Sequence, residues 1–315
     1  MIKLKKISEL FKKNDYTAGN GLYADLSELM AMRHYVPMMR NSRDKKASSI
    51  DSGGIRSAFR GRGIEMEEIR EYQFGDDVRD IDWRVTARMN SPYTKIYTQE
   101  RNREIYAWLD LSPIMLFGSR QELKSVTASK LAAFLGWMAL DNKDRFGCII
   151  FDGANSYVLK SGNDRAYIAA ICKKISDIGR QSLNNNVNDS ESRLKSLKLL
   201  RRNASKGAGI FIISSLMFWD DRYNRELTYL AGNNQLFLVN VFDNLEKDSP
   251  PAGQYKVEFA GEKLIFDSSG RDYIQNYREY FAEKNQSLHD FSKKVKAQLI
   301  DFSQNYSILG NFKIF

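Results

Sequence analysis

The chain has 315 residues, with 48 Lys+Arg against 39 Asp+Glu and a formal net charge of +9. Hydrophobic residues make up 43% and charged residues 28%, a globular composition that excludes a disordered, collagenous or disulfide-framework chain. The length admits two domains, and the positive balance admits an acidic partner without choosing it.

In chain order, an amphipathic helix is predicted over Lys3–Lys13 and a second over Ala24–Tyr35. Lys3, Lys5, Lys6, Lys12 and Lys13 alternate with Ile2, Leu4, Ile7, Leu10 and Phe11, so the first helix either packs on its own domain or makes peripheral membrane contact. Arg40–Gly54 is polar and reads as a loop. Between Glu65 and Arg88, carboxylates and guanidiniums interleave with Ile69, Tyr72, Phe74, Val78, Ile81, Trp83 and Val85. Such mixing predicts arginine–carboxylate pairs, because the planar guanidinium fork matches a carboxylate. Asp76, Asp77, Asp80 and Asp82 offer oxygens to a hard cation. Arg70, Arg79, Arg84 and Arg88 supply the same positive charge in a structural network, which is the preferred reading.

From Glu104 the pattern alternates strands and helices. Ile105–Asp110, Phe146–Phe151, Gly209–Ile213 and Gln235–Phe242 are apolar runs that predict buried strands. Ser156–Leu159 pairs with the second of these through the Asp152-Gly153 turn. Helices are predicted over about Ser125–Asn142, from Asp164 to about Ile178, over Tyr223–Leu230 and over about Asp272–Lys296. Tyr255–Phe259 and Lys263–Phe266 read as a hairpin, and Gln298–Phe302 as a last strand. Arg193–Arg202 is the densest piece of positive charge and carries leucines at helical spacing, with its Lys and Arg expected on the wet side. The chain thus divides into an arm, 1–103, and an α/β domain, 104–315. The latter has a doubly wound, mainly parallel sheet with helices on both faces.

Cys148 and Cys172 fall in apolar runs and read as reduced core residues. The runs 131–140 and 209–219 are shorter than the roughly 18 residues of a membrane span. No signal-peptide core follows Met1, so a cytoplasmic location is expected.

Arg70-Glu71-Tyr72, Gly75-Asp76-Asp77-Val78-Arg79 and Ile81-Asp82-Trp83-Arg84, followed by Ala87-Arg88, resemble the defining motif of domain of unknown function family 58. Asp110-Leu-Ser112, Phe117-Gly118, Lys130, Gly147, Phe151, Asp243–Glu246 and Pro251-Ala-Gly253 continue the resemblance. It implies a von Willebrand factor A-like domain behind a family-specific segment. It also implies a role beside MoxR-type AAA+ ATPases in assembly or maturation of other proteins.

Von Willebrand A domains often hold Mg²⁺ on an Asp-x-Ser-x-Ser motif, a Thr and an Asp. Asp110 and Ser112 match the first two ligands, but Ile114 stands where the third would be. The Thr loop offers Ser190 or Ser192, and the strand that should end in Ser-Asp ends in Ser214-Ser215. The remaining set of Asp110, Ser112, Ser190 and Ser215 has one formal charge, so Mg²⁺ binding is expected to be weak or absent. Asp110 otherwise caps loop amides at the sheet edge.

The leading expectation is therefore a non-enzymatic interaction protein. The alternative is a metal-dependent hydrolase built on Asp76, Asp77, Asp80, Asp82 and Asp110. His34 and His289 lie in no catalytic motif. Nucleic-acid binding has only the dispersed charge behind it.

Overall fold

The structure, a computed structural model, describes residues 21–37, 68–73, 76, 78, 81–89, 91–96, 102–119, 121–216, 219–247, 251–259 and 262–303. The helix expected at Lys3–Lys13, the polar stretch Arg40–Gly54, and Gly75, Asp77, Arg79 and Asp80 lie outside these residues.

Helix α1, Leu26–Ala31, starts at a capping box: Asp25 is the N-cap, and Glu28 accepts from the Asp25 amide at 3.1 Å. The chain then tightens into a 3-10 turn over Met32–Tyr35. One continuous helix over 24–35 was the pattern's prediction; the Asp25 cap sets a later start. Buried Leu29 holds α1 in place, its carbonyl accepting from the Trp137 indole N–H at 3.0 Å.

The charged segment forms a small unit. Strand β1, Glu68–Glu71, pairs antiparallel with β2, Tyr93–Ile96, in the register Glu68↔Ile96. Between them runs helix α2, Trp83–Met89.

The main body runs β3 (Glu104–Asp110), α3 (Lys124–Asp141), β4 (Arg145–Phe151), β5 (Ser156–Gly162), α4 (Arg165–Ser182), α5 (Ser190–Asn203), β6 (Gly209–Ser214), α6 (Asp221–Asn233), β7 (Gln235–Phe242), α7 (Asn244–Lys247), β8 (Gln254–Phe259), β9 (Glu262–Asp267), α8 (Arg271–Val295) and β10 (Gln298–Ser303). Six strands form one sheet in the order β10-β7-β6-β3-β4-β5. All neighbours are parallel except β4 and β5, which close through the Asp152-Gly153 turn. Gly153 has φ +105°, and a Cβ there would lie 2.0 Å from the Val187 carbonyl oxygen, so the turn needs glycine. Strands β8 and β9 form a separate hairpin. The fold is α/β and von Willebrand factor A-like, with β3 central and the chain winding outward from it on both sides.

Strands β3, β4, β6 and β7 carry apolar side chains on both faces because helices cover both sides of the sheet. Along β3 the side chains alternate: Ile105, Ala107 and Leu109 join one core with α1, α3 and α4, while Tyr106 and Trp108 join a second with α5, α6 and α8. Helix α3 starts at Lys124, and Leu123 at its N-cap makes no side-chain cap bond. The amide of Lys124 instead donates to the Phe117 carbonyl at 2.8 Å, so loop backbone supplies an acceptor where no side chain does.

Candidate functional site

Open α/β sheets bind ligands beyond the carboxyl ends of their strands, where the winding reverses. Here that point lies between β3 and β6. Asp110 ends β3, is fully buried, and accepts from the Ser112 amide at 2.9 Å through Oδ1. Its Oδ2 accepts from the Ser214 hydroxyl, at the end of β6, at 2.6 Å.

The cation facing this carboxylate is Arg193, in the first turn of α5. Its Nε lies 4.0 Å from Asp110 Oδ2. Its guanidinium donates to Ser112 Oγ at 3.1 Å and to the Asn188 side-chain oxygen. The guanidinium carbon sits 5.2 Å from the Phe151 ring centroid, within cation–π range. Arg193 is only 2% exposed. The expectation that the charges of this helix lie on its wet side is corrected at this residue: the nearby Asp110 carboxylate, the Ser112 and Asn188 acceptors and the Phe151 ring offset the cost of burying its charge, so it can turn inward. Asp189 aims it by capping α5, accepting from the Glu191 and Ser192 amides at 3.2 and 2.9 Å. The Ser192 hydroxyl and amide hold the Asp189 carboxyl below its usual range.

These residues do not fit a divalent cation. The single carboxylate already serves two donors and a guanidinium, Ile114 brings no oxygen, and a hard cation needs about six oxygens. Among the described residues, no group of three or more His, Cys, Asp and Glu is placed to hold a metal.

A second buried cation lies at the same edge. Lys124 is 1% exposed, pairs with Glu246 and donates to Ser215 Oγ at 3.2 Å. Glu246 in turn accepts from the Asp243 amide at 2.9 Å, and Asp243 accepts from the Leu245 amide at 2.7 Å. Asp243 thus caps α7 through its second amide, while Glu246 reaches back to the amide of the cap residue. Asp243 also accepts from the Ser119 amide at 2.8 Å, which ties the loop after β3 to the end of β7.

The four residues expected around a metal are thus divided. Asp110 and Ser112 are together. Ser215 turns to Lys124. Ser190 opens α5, its hydroxyl accepting from Arg222 at 3.4 Å and its carbonyl from the Tyr223 hydroxyl at 3.3 Å. Arg193, Ser214, Asn188, Lys124 and Glu246 complete the two clusters; the sequence pattern marked Ser214 at its strand end and Glu246 within the family resemblance, but gave Arg193, Asn188 and Lys124 no role in a site.

In the charged segment, Arg70 pairs with Asp76 at 2.7 Å, and the Gln73 amide donates to the other Asp76 oxygen at 2.9 Å. The Tyr72 hydroxyl donates to the Asp76 carbonyl at 3.3 Å. Asp82 caps α2, accepting from the Arg84 and Val85 amides at 3.0 and 3.2 Å. Glu71, Trp83, Arg84, Arg88 and Met89 are exposed, Trp83 at 67%.

The sheet order and its one antiparallel strand give the chain a von Willebrand factor A-like fold. Residues 68–288 match the family described as "Protein of unknown function DUF58", and the chain belongs to that family. It is 24% identical over 221 residues to the uncharacterized proteins Rv1480 of Mycobacterium tuberculosis (strain ATCC 25618 / H37Rv) and Mb1516 of Mycobacterium bovis (strain ATCC BAA-935 / AF2122/97). Each match covers 70% of this chain and 68% of the relative. Among solved structures it is similar to the conserved hypothetical protein BatB from Bacteroides thetaiotaomicron, with 16% identity and a TM-score of 0.39 over 67% of this chain and 95% of that one. It is also similar to the SpRpn10 VWA domain, with 9% identity and a TM-score of 0.34 over 68% and 94% of the two chains. No helix among the described residues is long and apolar enough to cross a membrane.

Proposed function

We propose that this chain is a non-enzymatic interaction protein with a degenerate metal-ion-dependent adhesion site, and that it docks a MoxR-type AAA+ ATPase through its family segment. Its role is then cytoplasmic, in assembly or maturation of other proteins, with no specific nucleic acid and no cofactor. One observation carries this reading. The described carboxylates Asp76 and Asp82 serve the segment's own backbone and Arg70, whereas Trp83, Arg84 and Arg88 of α2 face solvent. Tryptophan and arginine dominate interface hot spots, because one supplies a large apolar area and the other a planar set of donors. The same observation weakens the hydrolase alternative, which loses two of its carboxylates to structural duties.

The test is binding of the purified MoxR-type ATPase of the same organism, read by biolayer interferometry. Trp83→Ala and the pair Arg84→Glu/Arg88→Glu should each weaken it at least tenfold. The equal charge reversal Lys173→Glu/Lys195→Glu, on exposed faces of α4 and α5, should leave it within twofold. Failure of the unmodified chain to bind, or equal losses in all three variants, refutes the reading.

A further inference from the structure

A buried carboxylate must be neutralised or matched by a cation. Adhesion-type sites use a divalent ion, placed where the ends of the two central strands and the neighbouring loop converge. In this chain a side chain reaches that place. Arg193 enters from α5, meets Asp110 Oδ2 at 4.0 Å, donates to Ser112 Oγ at 3.1 Å, and covers the Phe151 ring at 5.2 Å. The two residues that match the metal motif, Asp110 and Ser112, thus both face the guanidinium, which Asn188 also holds.

We propose that Arg193 is a built-in cation: its guanidinium takes the position of the divalent ion and keeps that ion out. The inference builds on the reading of the Asp110 centre as a degenerate site, and it names what made it so. Three features support it. The charges balance, one guanidinium against one carboxylate. Guanidinium stays protonated across all physiological pH, so neither pH nor chelation empties the site. Ser214 and Ser112 satisfy the rest of the carboxylate with a hydroxyl and an amide at 2.6 and 2.9 Å, leaving it no need of metal-bound water. A partner's carboxylate therefore has no open coordination position to complete here. Docking at this edge is independent of divalent cations.

The experiment is titration with MnCl₂ and MgCl₂ by calorimetry, on the full chain and on Arg193→Ser, Arg193→Lys and Arg193→Ser/Asp110→Ala. The unmodified chain and Arg193→Lys should give no binding heat at millimolar metal. Arg193→Ser, with the guanidinium removed and Asp110 exposed to the space it left, should bind Mn²⁺ at least tenfold more tightly. The double variant should lose that gain. Should Arg193→Ser fold poorly, Arg193→Gln is followed by thermal shift, where Mn²⁺ should raise its melting temperature and leave that of the unmodified chain unchanged. Asp110-dependent metal binding by the unmodified chain would overturn both this inference and the degenerate-site reading. A folded Arg193→Ser and Arg193→Gln without any metal response would overturn the inference alone.

Discussion

Lys124 is the side chain whose loss should cost the most at the carboxyl edge of the sheet. It is 1% exposed, and its ammonium bridges Glu246 and Ser215 between the start of α3 and the turn after β7. Lys124→Ala removes about three buried methylenes, worth about 0.8 kcal/mol each. It also strands Glu246, whose side chain is only 19% exposed. Losing one partner of a buried pair costs about 3–5 kcal/mol, but water reaches Glu246 and Asp243 still donates to it, which lowers that part. The two contributions together come to about 3–5 kcal/mol. Lys124→Met keeps the stem, so it should cost about 2 kcal/mol and isolate the charge. Urea unfolding followed by circular dichroism measures each variant, with Glu246→Gln closing a double-mutant cycle. The coupling between the two sites should be about 1–3 kcal/mol. A loss below about 1 kcal/mol for Lys124→Ala, or additivity within about 0.5 kcal/mol, refutes the claim that this pair holds the edge together.

Three further outcomes follow from buried groups. Gly147→Ala places a Cβ 2.4 Å from the ring of Tyr106, itself 1% exposed; the strand should lose about 1–3 kcal/mol by urea unfolding, partly recovered by adding Tyr106→Leu. Burial pushes the Cys172 thiol up to about 12 and that of Cys148 higher, so Ellman's reagent at pH 8 should label neither in the native protein and both after unfolding. A native thiol that reacts at the rate of free cysteine contradicts this. At Lys130, burial disfavours the ammonium, but Glu122 and Glu28 outweigh it and raise the pKa. Its stabilisation is then complete below the unfolded value near about 10.4 and lost as pH climbs through the higher folded value. Lys130→Met should therefore flatten the fall of the urea midpoint at strongly alkaline pH, and identical slopes would count against the pairing.

The sheet was legible because parallel strands under two layers of helix must be apolar on both faces. Ile105–Asp110, Phe146–Phe151, Gly209–Ile213 and Gln235–Phe242 therefore stand out as mostly apolar runs, and each is a strand within a residue or so. Helix starts were harder. Asp25 caps α1 two residues later than the apolar pattern suggested, and α3 begins on loop backbone where no side-chain signal exists. Strands β1 and β2 were not legible at all. They are four residues each, too short for alternation to rise above the charges around them.

The site shows a sharper division. Asp110 and Ser112 were readable because they match the Asp-x-Ser pattern that the resemblance implies, and, being two residues apart on one strand end, they stay together in the fold. Ser190 and Ser215 were selected as stand-ins for the Thr loop and the Ser-Asp strand end of the motif that the resemblance implies, and their side chains answer to other neighbours, Arg222 and Lys124. Arg193 did leave a signal. It precedes Leu197 and Leu200 by four and seven residues, the spacing of one helix face, and both leucines are fully buried. A residue in register with them must point inward whatever its charge. The leucines alone defined the face, so the arginine was assigned to solvent by type. Lys124 left a similar trace: a cation in the first turn of a helix opposes the helix dipole and calls for a carboxylate from elsewhere in the fold, here Glu246. In both cases periodicity or the dipole gives the direction, and only the tertiary fold supplies the partner.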